Sequence, residues 1–149
     1  MIPDFNSNGN LPVGVHWATW DEFIARYVTT PQRRRLIIGL RTGLEALAKA
    51  GCQVVYVNGS FVTDKEAPGD FDVCWEMDGV DPTLLDPVLL NFDNQRASQK
   101  AKYCGEYFPT HWKAETLPPY RAFLEFFQTD KETGNPKGII GINLGEWLL

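Results

Sequence analysis

The fold is decided by two short apolar segments, VVYVNGS at residues 54–60 and DFDVCW at residues 70–75. Their β-branched and aromatic residues predict strands over about 53–58 and 70–76. The nine residues between the segments, FVTDKEAPG, include several charged residues and a Pro-Gly pair, so we expect a loop there. The two strands are therefore expected to be neighbours in one sheet.

Two carboxylates open the second of these strands. Side chains two residues apart in a strand point to the same face, so we expect Asp70 and Asp72 to project together. Gly59 and Ser60, at the end of the first strand, can place bare backbone and a hydroxyl beside this pair. Carboxylates for Mg²⁺ and donors for phosphate are what phosphoryl and nucleotidyl transfer require. The simpler alternative is a hairpin-like strand pair in which the two aspartates cap the loop.

Length and composition limit the classes of protein to consider. The 149 residues are 44% hydrophobic, which is enough for one domain with a real core, and the net charge is −5. Such a charge argues against general nucleic-acid binding, although a local basic patch stays open. No apolar run reaches membrane-spanning length, and the N-terminus has no signal-peptide pattern. Three scattered cysteines without a Cys-x-x-Cys pair favour a reduced, cytoplasmic protein.

The rest of the chain predicts helices packed on a small sheet. Pro31 and Gly51 are typical of the start and the end of one long helix. We therefore expect one domain over residues 1–149, of the α/β (α+β) class with a small mixed β-sheet, and an extended arm at 1–18. The other predicted elements are a short helix opened by a capping box at Thr19, a helix from Leu89 to about Ala101, a strand over 103–108, an apolar helix around 123–127 and a last strand over 137–144.

A basic run, Arg33-Arg34-Arg35, falls in the first turn of the long predicted helix. Cations are not favoured there, because the amino end of a helix carries partial positive charge. We interpret the run as a solvated face of the helix. A docking patch for an acidic partner is the alternative.

Gly59-Ser60, nine intervening residues and Asp70-x-Asp72 resemble the signature of the polymerase-β-like nucleotidyltransferase superfamily, and most closely its minimal, single-domain prokaryotic members. This resemblance covers roughly residues 35–108. A second resemblance, to an uncharacterised prokaryotic and phage family related to that superfamily, covers nearly the whole chain. It is carried by IPDF at 2–5, GVHW at 14–17, FFQ at 126–128 and PKG at 136–138.

The resemblance implies a division of roles within the site. Asp70 and Asp72 would bind Mg²⁺, with two ions expected, and Gly59-Ser60 would bind the β- and γ-phosphates of a nucleoside triphosphate. A third carboxylate is implied on a later strand. Glu106 is our choice because it falls within the strand that follows the predicted helix, and Glu115 is the rival. A glutamate here departs from the aspartate that is usual in the superfamily.

Three cations are candidates for neutralising the triphosphate. Arg96 and Lys100 are four residues apart on a predicted helix and so share a face. Lys65 lies in the loop after Ser60. All three are alternatively ordinary solvated cations, and for Lys65 alone we prefer that interpretation.

Two functions from different classes follow. The first is a Mg²⁺-dependent nucleotidyltransferase that moves a nucleoside monophosphate from an NTP to a hydroxyl on an RNA end, a protein or a small molecule. The resemblance implies a toxin–antitoxin or phage-defence setting for it. The second is a non-catalytic module, antitoxin-like or a phage regulator, that binds a nucleotide or a protein. A partner protein or a second copy of the chain would supply the substrate-binding surface that larger relatives carry in an additional helical domain.

Overall fold

A mixed five-stranded sheet lies at the centre of the protein, whose computed structural model describes residues 1–146. The strands are β1 (Val15–Trp17), β2 (Val54–Asn58), β3 (Asp72–Trp75), β4 (Glu106–Pro109) and β5 (Ile139–Asn143). The α-helices are α1 (Trp20–Tyr27), α2 (Pro31–Lys49), α3 (Asp93–Tyr103) and α4 (Phe123–Phe126), and short 3₁₀ helices span Ser60–Val62, Pro87–Leu90 and Leu144–Glu146. The predicted mixed sheet with helices packed on it is confirmed. Residues 147–149 of the predicted domain lie outside the described residues.

The order and directions of the strands place the candidate residues at one end of the sheet. The order is β1-β5-β2-β3-β4, in which β2 is antiparallel to both β3 and β5. The outer pairs, β1 with β5 and β3 with β4, are parallel. The carboxyl end of β2 therefore meets the amino ends of the other four strands. We call this end of the sheet the carboxylate edge, after Asp70, Asp72 and Glu106.

The first two helices begin where the sequence predicts. Thr19 and Glu22 form the expected capping box, in which Glu22 N donates to Thr19 Oγ1 over 3.1 Å and Thr19 N donates to Glu22 Oε1 over 3.0 Å. Thr30 caps α2, and Pro31 occupies its first turn. The apolar face of α2 is buried against the sheet through Leu36, Leu40, Leu44 and Leu47.

Apolar side chains cover both faces of the sheet. On the α2 side, the core includes Val55, Val57 and Phe71. On the opposite side, Tyr56, Cys74 and Phe108 pack beneath an aromatic layer. Phe123 of α4 stacks on Phe108 with 4.2 Å between ring centroids. The α4 helix is a single turn, shorter than predicted.

The predicted helix from Leu89 to Ala101 is wrong in its first part. A 3₁₀ helix ends at Leu90, and α3 begins only at Asp93, with positive φ at Asn94, Gln95 and Arg96. Leu89 packs in the core on the α2 side, whereas Phe92 packs on the opposite side of the sheet. Residues three apart lie on the same side of an α-helix, so one continuous helix cannot place both.

The strands near the site are also shorter than, or displaced from, their predicted ranges. The strand predicted over 70–76 begins at Asp72, so Asp70 precedes it. The strand predicted over 103–108 is observed as Glu106–Pro109. Tyr103 belongs to α3, and Cys104 follows it with a φ of +63°, which ends the helix and turns the chain.

The basic run at the start of α2 divides into two environments. Arg34 and Arg35 are exposed, as predicted, but Arg33 is only 3% exposed. The solvated-face interpretation is therefore wrong for Arg33, because the first turn of α2 packs against the loop that follows Ser60. The Arg33 guanidinium donates to the backbone carbonyl oxygens of four residues: Tyr27, Phe61, Thr63 and Lys65.

The N-terminal arm is fixed to the body at several points. It contributes β1 to the sheet and buries Leu11. Asp64 N donates to Gly9 O over 3.0 Å, and Asn10 Nδ2 donates to Asp130 Oδ2 over 3.1 Å. The arm thus connects the loop after β2 with the turn before β5. Within residues 1–146, no helix is both long and apolar enough to cross a membrane.

Candidate functional site

Gly59 makes the turn at the carboxyl end of β2. Its φ of +84° and ψ of −167° define a backbone conformation that is essentially restricted to glycine. A Cβ atom at this position would lie 2.8 Å from Asp72 Oδ2. Ser60 then begins a 3₁₀ turn, and its carbonyl accepts a 2.6 Å hydrogen bond from Thr63 Oγ1. Bare backbone therefore lies directly against the Asp72 carboxylate, as the sequence predicts.

Asp72 lies between two polar neighbours in the sheet. It pairs with Asn58 of β2 on one side and with Glu106 of β4 on the other. Phe71 is buried on the α2 side, whereas Cys74, which shares a face with Asp72, packs on the opposite side. Asn58 Oδ1 is buried and accepts no hydrogen bond from any of residues 1–146. Three polar side chains thus follow one another across adjacent strands.

Burial, and after it repulsion between carboxylates, raises the pKa of both aspartates at this edge. Burial, followed by repulsion from Asp70 and Glu106, raises the pKa of Asp72 to about 7. Burial and then repulsion from Glu106 also raise the pKa of Asp70. Both effects disfavour the charged form, so the edge gains from a cation that neutralises it. Asp70 belongs to this group even though it lies outside the strand.

Glu106 already has cationic partners. Its Oε1 lies 3.3 Å from Arg96 Nη2 and 3.2 Å from Lys100 Nζ. Both cations contact the third carboxylate in this structure, but not through the regular helix face predicted for them, because Arg96 has a φ of +61° and lies outside helical geometry. Arg96 Nε is buried and donates no hydrogen bond to the described part of the chain.

Glu115, the rival third carboxylate, lies in the loop between β4 and α4. It binds Arg121 through two contacts, Nε to Oε1 over 2.6 Å and Nη2 to Oε2 over 3.1 Å. These hydrogen bonds lower the pKa of Glu115. Glu106, paired in register with Asp72, is therefore the glutamate that belongs to the carboxylate edge.

Lys65 is exposed on the loop after Ser60, and it lines a cavity with Arg26 and Arg33. The positive charges of two lysines that are distant in the sequence, Lys131 and Lys137, act to lower the pKa of Asp72. The sequence pattern does not single out either lysine as a site residue. Lys137 lies two residues before an apolar strand, but this position points to the site only when it is known that β5 lies beside β2.

This chain shares its sequence pattern with one known family over most of its length. Residues 3–143 match the model of a family of unknown function, DUF6932. The chain belongs to that family. The DUF6932 match includes the arm, the carboxylate edge and the turn before β5. Searches of the curated proteins and of the solved structures each returned no match.

The donor set of this DUF6932 chain suits Mg²⁺ in its chemistry, since Asp70, Asp72 and Glu106 all offer carboxylate oxygens. Among residues 1–146, no three His, Cys, Asp or Glu side chains are placed to hold a metal ion together. Mg²⁺ is ordinarily bound by one or two carboxylates, with water and substrate phosphates completing its shell. Asp70 and Asp72 fit that requirement. Arg96 and Lys100 both contact Glu106 through Oε1, so Oε2 is the oxygen that Glu106 could offer to an ion.

Proposed function

We propose that this chain is a Mg²⁺-dependent nucleotidyltransferase with a nucleotidyltransferase-like fold. It transfers a nucleoside monophosphate from an NTP to an acceptor hydroxyl. The observation that carries the proposal is the Asp72 carboxylate, which lies against the Gly59 backbone and beside Glu106, and whose pKa is raised to about 7. A protein that keeps so unfavourable a group gains from a ligand that neutralises it.

The reaction assigns a task to each part of the edge. Asp70 and Asp72 would hold Mg²⁺, which when bound neutralises phosphate charge and polarises the reacting phosphorus. The turn at Gly59 and Ser60 would hold the β- and γ-phosphates. In the transfer, the acceptor oxygen bonds to the α-phosphorus and the bond to the β-phosphate oxygen breaks. Pyrophosphate leaves, and the hydroxyl proton passes to Glu106, the carboxylate beside Asp72.

A second candidate, a nucleotide-binding module without turnover, is favoured by one observation. Arg96 and Lys100 both form ion pairs with Glu106 Oε1, and these pairs compete with the use of Glu106 as a base for the acceptor hydroxyl. Such a module would act through a partner protein or a second copy of the chain. For either function we propose a reducing, cytoplasmic setting, to which the free thiols of Cys52, Cys74 and Cys104 are suited.

Calorimetry with each of the four NTPs in millimolar Mg²⁺ tests both candidates. We expect heat of binding from the natural chain and none from the Asp70→Asn, Asp72→Asn double variant, because Mg²⁺ then loses its protein ligands. A matched control is Asp4→Asn, Asp78→Asn, which removes the same charge from exposed positions. Absence of binding to all four NTPs by the natural chain rejects both candidates.

Turnover separates the enzyme from the module. Pyrophosphate release is measured with RNA ends, a protein pool and the chain itself as acceptors. The transferase requires release that Glu106→Gln abolishes while NTP binding persists. Binding without release in the natural chain, under all of these conditions, supports the module.

A further inference from the structure

A lysine at the carboxylate edge forms no ion pair with any of residues 1–146. Ile140 of β5 pairs with Val57 of β2, and these strands are antiparallel, so the residues before Ile139 lie beside those after Asn58. Lys137, two residues before β5, is thereby brought to the level of the Gly59 turn. The sheet topology alone puts this lysine at the same edge as Asp72.

The backbone around Lys137 is well fixed. Lys137 N donates to Gln128 O over 2.8 Å, and Gly138 N donates to Leu11 O over 3.1 Å. Asp130 N donates to Asn135 O over 2.8 Å and closes the turn before β5. The N-terminal arm and this turn together hold the backbone of Lys137 in place.

The charge on Lys137 is not neutralised locally. The side chain is partly buried, and no carboxylate within residues 1–146 comes within ion-pair distance of it. Burial lowers its pKa, while the more distant charges of Asp130 and Asp72 act in the opposite direction. Lys100, by contrast, is already paired with Glu106. Lys137, unlike Lys100, is therefore available to an anion at this edge.

Lys131, which is exposed on the same turn, acts on both Asp70 and Asp72. Lys131 also lowers the pKa of Lys137, as expected for two like charges near one another. Two lysines that repel each other at the edge of a carboxylate site are stabilised together by one polyanion. A polyphosphate is such a ligand, and lysine binds phosphate as a point charge without a fixed bonding plane.

We propose that Lys137, assisted by Lys131, binds the phosphate chain of the nucleotide and sets the preference for triphosphates over monophosphates. The inference rests on the proposed function and deepens it. The negative charges of a triphosphate would be repelled by the carboxylates of Asp70 and Asp72. Mg²⁺ offsets one part of this repulsion, and the two lysines offset the part farther along the phosphate chain.

The test compares four ligands by calorimetry in Mg²⁺: an NTP, the matching NDP and NMP, and inorganic tripolyphosphate. We expect Lys137→Gln to weaken binding of the NTP and of tripolyphosphate about tenfold or more, with little effect on the NMP. Lys131→Gln should have a smaller effect in the same direction. Lys137→Arg should restore most of the affinity, because the charge is kept. Lys49→Gln removes the same charge from an exposed position at the end of α2 and is the control.

The outcomes separate this inference from the proposed function. NTP binding that Lys137→Gln leaves unchanged overturns the inference and keeps the function. Binding of tripolyphosphate but of no NTP keeps the phosphate site and rejects the nucleotide. Binding of neither by the natural chain overturns both. A circular dichroism melt of each variant excludes misfolding, and Lys137→Met, which also removes the charge, replaces Lys137→Gln if the latter is unfolded.

Discussion

Two regions of this molecule remove a charged group from water, Arg33 almost completely and Asp72 in part, and the two environments have opposite effects on stability. At the start of α2, the Arg33 guanidinium is surrounded by backbone carbonyl oxygens that accept its hydrogen bonds. At the carboxylate edge, Asp72 is surrounded by two further carboxylates and by a buried amide oxygen of Asn58. The first arrangement stabilises the fold. The second costs stability in the absence of a ligand, which is typical of a functional site.

The largest expected effect comes from breaking the first region. Arg33→Met keeps much of the side-chain volume but removes the guanidinium donor from four backbone carbonyl groups, two of them buried and two partly buried. We expect a loss of at least about 3 kcal/mol in the free energy of unfolding, since each buried unsatisfied group costs about 1–3 kcal/mol. Urea denaturation measures the loss.

Arg34→Met is the matched control for that experiment, because Arg34 is the next residue in the chain and is exposed. We expect a change within about 0.5 kcal/mol for it. Equal losses in the two variants would contradict the assignment of Arg33 as a buried structural cation. The loop after Ser60 should also lose protection from hydrogen exchange in Arg33→Met but not in Arg34→Met.

Asp72→Asn should increase the free energy of unfolding, whereas Arg33→Met decreases it. The folded-state pKa of Asp72 is about 7, against an ordinary value of 3.8. Between these two values the native state holds the proton that the unfolded state releases, so this residue lowers stability progressively as the pH rises from about 4 to 7. Three pKa units correspond to about 4 kcal/mol at full effect. Solvent and relaxation reduce that figure, and we expect Asp72→Asn to be more stable by about 1–2 kcal/mol at pH 8.

The dependence of stability on pH and on Mg²⁺ gives a closer test of this prediction. The stability difference between Asp72→Asn and the natural chain should close as the pH falls to about 4, where both carry an uncharged group. At pH 8, millimolar Mg²⁺ should raise the melting temperature of the natural chain more than that of Asp72→Asn, because a ligand of the native state stabilises by mass action. A natural chain indifferent to Mg²⁺, together with a destabilised Asp72→Asn, would show that the carboxylates are structural.

The two regions also differ in what the sequence reveals. Local chemistry predicts α1, α2, β2 and β3 well, because capping residues, Pro31 and β-branched runs act within a few residues. The Asp70 and Asp72 pattern is equally local, since Gly59 and the aspartates lie at or next to the adjoining ends of two neighbouring strands. The environment of Arg33 has no such pattern. Its acceptors are backbone carbonyls, which every residue carries.

Long-range packing accounts for the remaining errors. The break between Leu90 and Asp93 follows from Phe92, which packs on the side of the sheet opposite to Leu89. The approach of Lys137 to Asp72 requires that β5 lies beside β2, at about 80 residues of sequence separation. Neither fact can be read from a window of neighbouring residues. Cation candidates chosen on local grounds were therefore incomplete at this edge.

The smallest expected effect concerns the two glutamates considered for the third carboxylate. Glu106→Gln and Glu115→Gln are the same chemical change in two environments. Glu115 makes a bidentate, partly exposed pair with Arg121, and screening by solvent limits what this pair contributes to stability. We expect Glu115→Gln to leave Mg²⁺-NTP binding and pyrophosphate release unchanged, with only a slight fall in melting temperature. Because Arg121 lowers the pKa of Glu115, that slight fall should be present at neutral pH and vanish as the carboxyl protonates in acid.

Glu106→Gln should differ from Glu115→Gln in the pKa of Asp72 as well as in turnover. It removes a negative charge that raises the pKa of both aspartates, and it leaves Arg96 and Lys100 near them without their carboxylate partner. The pKa of Asp72, followed by NMR of its carboxyl carbon, should therefore fall below its value in the natural chain. In Glu115→Gln that pKa should not move. A fall in Glu115→Gln with none in Glu106→Gln would reverse the assignment, because the charge that Asp72 senses would then come from the loop between β4 and α4.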